Sequence, residues 1–127
     1  MLELVRSASS LFTLPTSSDH LAGLVVGLAQ SPEEIEFAQR LRHDVFSAEY
    51  GAALGNNRDG IDCDDFDPWC QHLLVRELTS YQVVGTYRIL TPQQAKRAGS
   101  YYSESEFDLS ALGQVRDSLV EFGRACI

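Results

Sequence analysis

Apolar and polar positions along the chain follow two periods, and the switches between them predict alternating strands and helices. Leu21 to Ala29 is a short, unbroken, Val-containing apolar run with helix punctuation directly after it. It reads as a strand, and its lack of alternation predicts burial on both faces. From Ser31 to Tyr50 the period lengthens: Ile35, Ala38, Leu41, Val45 and Ala48 recur at helical spacing and are expected to face the core. Ser31 suits an N-cap, Pro32 the first helical position, Glu34 a capping box and Gly51 the stop. Arg42, Phe46 and Glu49 form a second stripe, either a surface ion pair with an incidental aromatic or part of a site.

Gln71 to Leu78 and Gln82 to Thr91 return to strand character around a Thr79-Ser80-Tyr81 turn, which predicts an antiparallel hairpin. Val84, Thr86, Arg88 and Leu90 share one face of its second strand. Pro92 to Ala98 reads as a short helix closed by Gly99, and Leu119 to Ile127 as a last strand. Between them, Tyr101 to Ser110 is irregular and Leu112 to Asp117 is a connection. The fold class is therefore α/β. Residues 1–19, rich in Ser and Thr and interrupted by Pro15, read as a loosely ordered arm, leaving 20–127 for the domain. Gly51 to Gly60 is a Gly- and Asn-rich loop of the kind that often carries function.

Composition narrows the function classes. A length of 127 residues allows one domain, and a formal charge of −8 makes nucleic acid a poor partner. Three cysteines (Cys63, Cys70, Cys126) without zinc-type spacing fit a reduced, cytosolic compartment, with Cys126 in the core. No signal peptide is expected, and the nine-residue run Leu21 to Ala29 is too short to span a bilayer.

The densest candidate chemistry is Ile61-Asp62-Cys63-Asp64-Asp65-Phe66-Asp67-Pro68-Trp69-Cys70. It reads either as a solvated acidic turn or as a functional cluster; Phe66 and Trp69 argue for the second. An EF-hand fails, because Gly60 in the sixth position puts Gly55 first and Phe66 twelfth, and neither side chain ligates. A looser carboxylate site stays open. Arg88 on an apolar strand needs a carboxylate or a ligand anion, so Arg88 and Arg124 are each expected to pair with an acid of the run or with Glu121. No Gly-rich nucleotide loop and no nucleophile elbow is present. His20, His43 and His72 are scattered and read as structural, with His72, opening a strand beside the acids, the one candidate base.

The ordered combination Leu41-Arg42-His43-Asp44-Val45-Phe46, Asp62-x-Asp64-x-x-Asp67, His72-Leu73-Leu74-Val75, Val83 to Leu90, Tyr102 to Leu109 and Glu121-Phe122-Gly123-Arg124 resembles one acyltransferase group. The chain is similar to the N-terminal half of the ornithine-acyl-carrier-protein N-acyltransferases of the GNAT superfamily, often labelled hemolysin-like and related to acyl-homoserine-lactone synthases. The resemblance covers about residues 21–127. It implies a GNAT-like partial mixed sheet with flanking helices, truncated after the central strand. It implies transfer of a fatty acyl group, often 3-hydroxylated, from acyl carrier protein (or from acyl-CoA) to the α-amine of ornithine, with no tightly bound cofactor and no metal. The catalytic residues it implies are Glu121, Asp64 and Asp67; the substrate-binding residues are Arg42, Phe46, Asp62, Arg88 and Arg124. Asp62 stands where the lactone synthases have Glu, and Gly123 where they have Ser.

The resemblance further implies a cytoplasmic protein, with peripheral contact at the inner face of the membrane through the lipid product. The early stop leads to the expectation that this chain alone is inactive and self-associates through its open sheet edge. The rival readings are a catalytically inactive remnant that binds a partner, and a lactone synthase, which Gly123 and the missing Trp near position 52 disfavour.

Overall fold

A computed structural model describes residues 23–51 and 59–127. The expected arm at 1–19 and most of the Gly51–Gly60 loop lie outside the described residues. Strand β1 (Leu24–Leu28) precedes helix α1 (Pro32–Tyr50). The hairpin β2 (Gln71–Glu77) and β3 (Val83–Leu90) follows, then helix α2 (Pro92–Ala98) and strand β4 (Glu121–Cys126). Short 3-10 turns at Asp67–Trp69, Tyr102–Ser105, Ser110–Leu112 and Arg116–Ser118 fill the connections.

The four strands form one sheet in chain order, β1-β2-β3-β4. Every pairing is antiparallel, where a mixed sheet was expected. The cause is the return path after α1. The Asp62 N–H donates to the carbonyl of Gln39, in the first half of the helix, and the Ala29 N–H donates to the carbonyl of His72. The chain has thus come back to the end of β1 before β2 begins, so β2 must run the other way. Expected burial of the first strand on both faces also fails. Among the described residues β1 pairs only with β2, and nothing covers its outer face, which leaves Val26 57% exposed.

Helix α1 begins as its sequence demands. The Ser31 hydroxyl accepts from the Glu34 N–H, an interaction worth about 1 kcal/mol. Glu34 reaches back to the N–H of Gln30 and also pairs with Arg76 of β2, tying helix start to sheet. The buried face differs from the predicted stripe. Ala38 and Arg42 are fully buried, Ile35, Leu41 and Val45 are half-buried, and Ala48 is exposed. Ala38 and Arg42 stand at i and i+4 and set the line along which α1 lies on β2, β3 and β4. Ala48, near the end of the helix, has run past that contact.

The interior is unusual in kind. The largest fully buried side chains are Arg42, Leu74, Leu90, His72 and Thr86, three of them polar. A small apolar cluster of Leu90, Ala95 and Tyr101, flanked by Phe66, Cys70 and Leu119, lies beside them. Helix–sheet packing here therefore depends on polar groups being satisfied, and the next question is how they are.

Candidate functional site

The acidic run is drawn inward by arginines. Asp64 Oδ1 accepts from the backbone N–H groups of Phe66 (2.9 Å) and Asp67 (3.2 Å), an Asx turn that starts the Asp67–Trp69 turn. This local fold aims the carboxylates of Asp62, Asp64 and Asp67 under the sheet. Arg42 donates through Nε to Asp62 (3.0 Å) and through Nη2 to Asp67 (2.6 Å) and the Asp62 carbonyl (2.5 Å). Arg88 donates through Nη1 to Asp64 (2.6 Å) and Asp67 (2.8 Å). Arg124 lies 3.5 Å from both Asp62 and Asp64. Three cations and three anions thus alternate in a closed circuit: Arg42, Asp67, Arg88, Asp64, Arg124, Asp62 and back to Arg42. The circuit is neutral in sum, which excludes both a solvated acidic turn and a carboxylate cation site. Among the described residues no group of three His, Cys, Asp or Glu side chains is placed to hold a metal ion.

His72 completes the dry side of the circuit. Its Nδ1 faces Arg42 Nη1 at 3.5 Å and its Nε2 faces the Asp67 carbonyl at 3.1 Å. A guanidinium can only donate and a carbonyl can only accept, so His72 is the neutral tautomer with its proton on Nε2. Burial lowers its pKa, and the nearby arginines add to that, against the pull of Asp67. With 1% exposure it cannot meet a substrate, and the sequence-based suggestion of a catalytic base is corrected. Asp64 shows the opposite balance. Burial would raise its pKa, but hydrogen bonding and charge from Arg88, the Phe66 N–H and the charge of Arg124 win and hold it below the ordinary carboxylate value. Burial likewise works against the Arg88 cation, and its bonds to Asp64 and Asp67 more than restore it.

A cleft of about 330 Å³ opens against one end of this circuit. Phe46, Arg88, Glu121 and Arg124 line it, together with Tyr102 and Ser103. Asp62, Asp67 and Arg42 do not; each is at most 5% exposed and lies behind the cleft. The eight sequence-proposed residues therefore divide into a lining group and a supporting group, with Asp64 between them. Asp67, one of the catalytic residues that the resemblance implies, is held by two arginines and Gln39 behind the cleft and is 4% exposed.

Glu121 is held differently. Its Oε1 accepts the Tyr102 N–H (2.9 Å), and its Oε2 accepts the Ser103 N–H (2.9 Å) and the Ser103 hydroxyl. A carboxylate has about four acceptor positions, so Oε1 keeps one free. Pairing of Arg88 or Arg124 with Glu121, one of the two sequence-based options, does not occur; both take the aspartates. Tyr102 and Ser103 were given no role by sequence reasoning. Both sit in a stretch whose irregularity hid that it folds over β4. Tyr102 also lies 5.3 Å from the Arg88 guanidinium and 5.8 Å from that of Arg124, ring centroid to carbon.

Arg124 reaches this cleft through a backbone irregularity. Gly123 pairs with Arg88 and Cys126 with Thr86, so Arg124 and Ala125 stand opposite the single residue Tyr87. Such a β-bulge shifts the alternation of side chains by one. Glu121 and Gly123 face inward as expected, Phe122 outward, and the bulge turns Arg124 inward as well. Its φ of 49° lies in the left-handed region, a cost a non-Gly residue bears only where its surroundings hold it.

The chain belongs to the family of acetyltransferase (GNAT) domains, whose model matches residues 41–127. Within it, the chain is similar to proteins named L-ornithine N(alpha)-acyltransferase. The Rhodobacter capsulatus protein is 35% identical over 109 residues, covering 80% of this chain and 42% of its own length. The Brucella abortus protein is 38% identical over 116 residues (84% and 41%), and the Rhizobium meliloti protein 37% over 116 residues (84% and 39%). The chain spans about two fifths of the length of these curated relatives. No solved structure matches it. No helix among the described residues is long and apolar enough to cross a membrane.

Proposed function

We propose that this chain supplies the acceptor side of an N-acyltransferase that moves a fatty acyl group from acyl carrier protein to the α-amine of ornithine. The observation that carries the reading is Glu121. It is a carboxylate lining a cleft, fixed by three donors, with one acceptor position unfilled. The acceptor amine is an ammonium at neutral pH and must lose a proton before it attacks the thioester. The nitrogen–carbon bond then forms as the carbon–sulfur bond breaks, and the thiol leaves with a proton. Glu121 has the position to accept the ammonium's proton, and a positioned base of this kind contributes about 10²–10⁴-fold. Among the described residues, the neutral circuit behind it leaves Glu121 as the uncompensated charge of the cleft, which attracts a cation. The similarity to the ornithine acyltransferases supports the choice of acceptor.

The test is free-thiol release from acyl-loaded carrier protein with ornithine as acceptor, on the chain alone and on a version extended to its relatives' length, each as the wild type and as Glu121→Gln. Ornithine-dependent release that falls at least a hundredfold in the variant is the expected result. Release that is indifferent to ornithine, or unchanged in Glu121→Gln, would overturn the reading.

A further inference from the structure

The geometry points to Arg124 as the site for the acceptor's α-carboxylate, so that Glu121 and Arg124 together recognise a free α-amino acid head group. This rests on the amine-acylation reading above and adds to it the residue that holds the acceptor's carboxylate. An α-amino acid carries its ammonium and carboxylate on one carbon. A site for it needs an anion and a cation, both accessible and close together. Glu121 and Arg124 lie three residues apart on β4, and the bulge brings both to the same cleft.

Among the three arginines of the circuit, Arg124 is the most exposed and the most loosely held. Arg42 and Arg88 each make contacts of 2.5 to 3.0 Å to their acids and are at most 4% exposed. Both acid contacts of Arg124 are 3.5 Å long, at the limit of a hydrogen bond, and its side chain is 23% exposed. Its buried Nε finds no partner among the described residues. Of five guanidinium N–H groups, the two long contacts engage at most two, so N–H groups on the Nη atoms remain to meet a carboxylate. The rings of Tyr102 and Phe46, each 5.8 Å from the guanidinium carbon, hold its plane in place. The zwitterionic head would set its ammonium against Glu121 and its carboxylate against Arg124.

The experiment measures binding by calorimetry to the wild type, Arg124→Gln and Arg124→Lys. The titrants are ornithine, lysine and glycine, their methyl esters, and 1,4-diaminobutane, which is ornithine without its carboxylate. Loss of a charge-assisted hydrogen bond is expected to weaken binding about 10- to 100-fold. The wild type should therefore prefer ornithine to its ester and to the diamine by that factor. Arg124→Gln should bind ornithine as weakly as the ester while binding the diamine as the wild type does, which also shows that it is folded. Arg124→Lys, with charge but no planar fork, should fall between. Equal wild-type affinity for acid and ester, an equal loss for all titrants in Arg124→Gln, or no binding of any free amino acid would overturn the assignment. Preference for a free amino acid other than ornithine would keep it and remove ornithine from the proposed reaction. Ornithine-dependent thiol release with unaltered ester discrimination in Arg124→Gln would do the reverse.

Discussion

Arg42 and Arg124 belong to one circuit of charges and are held in opposite ways. Arg42 is fully buried, bonded to two aspartates, a carbonyl and a histidine, and nothing about it is left to react. Arg124 is partly exposed, touches its two aspartates at 3.5 Å, and stands on strained backbone beside a cleft. Both are arginines near the same acids, so residue type does not separate structure from function here. What separates them is how much of each group's bonding capacity the fold has used. The exhausted end keeps α1 on the sheet, and the unfinished end faces the cleft.

The sharpest way to break this contrast is to remove each arginine in turn. Arg42→Ala leaves Asp62 and Asp67 buried without their closest cation and should cost about 3–5 kcal/mol. Arg88→Ala strips the short bonds from Asp64 and Asp67 and belongs in the same range. Arg124→Ala should cost far less, on the order of 1 kcal/mol, because its partners are distant and solvent is near. Urea unfolding at unchanged slope reads these differences directly. Equal costs for Arg42→Ala and Arg124→Ala would show that the circuit is uniform and that the division into two ends is wrong.

A smaller effect tests the dry end by pH. His72 is neutral in the fold with its pKa lowered by burial, whereas in the unfolded chain it titrates near 6.5. Below about pH 6.5 the unfolded state therefore binds more protons, and stability must fall as pH falls. The slope from this one group is at most about 1.4 kcal/mol per pH unit. A second decline belongs to Asp64, whose pKa is also lowered. Its contribution is present above about 3.8 and is lost below that value. In His72→Asn the upper decline should vanish while the lower one stays. A wild type whose stability is flat between pH 6.5 and 4.5 would mean that His72 is not held neutral.

The hairpin, both helices and the last strand were legible in sequence because each rests on local signals: a cap at Ser31, Pro32 and Pro92 at helix starts, stops at Gly51 and Gly99, and alternation in β3. The pairing of Arg88 with the acidic run was legible too, since an arginine among apolar strand residues needs an anion. Three things were not. The burial of Arg42 depends on where the acidic run lands after α1, which is a tertiary fact. The helix period alone pointed to Ala48, which the sheet does not reach. The capture of Glu121 by Tyr102 and Ser103 depends on a segment without periodicity folding over β4. Most hidden of all was the bulge, because strict alternation would have put Glu121 and Arg124 on opposite faces.

That bulge yields the smallest and most specific prediction. Arg124→Gly and Arg124→Ala both delete the guanidinium, so they lose the same pairing to Asp62 and Asp64 and the same packing against Phe46 and Tyr102. They differ only at the backbone. At φ 49° a Cβ is crowded against its own peptide group, a strain of about 1–2 kcal/mol that glycine does not have. Glycine repays part of this, because its unfolded chain has more freedom to lose. Arg124→Gly should therefore be the more stable of the two by about 1 kcal/mol, a reversal of the usual order in a strand, where glycine is the weaker residue by about 0.5–1 kcal/mol. Thermal and urea unfolding of the pair measure it, since a difference of this size shifts the melting point of a domain this long by several degrees. If Arg124→Ala proves as stable as Arg124→Gly, the left-handed backbone carries no strain. The claim that β4 bends against its own preference to bring an arginine to the cleft would then fall, and with it the physical reason for finding Arg124 on the same side as Glu121.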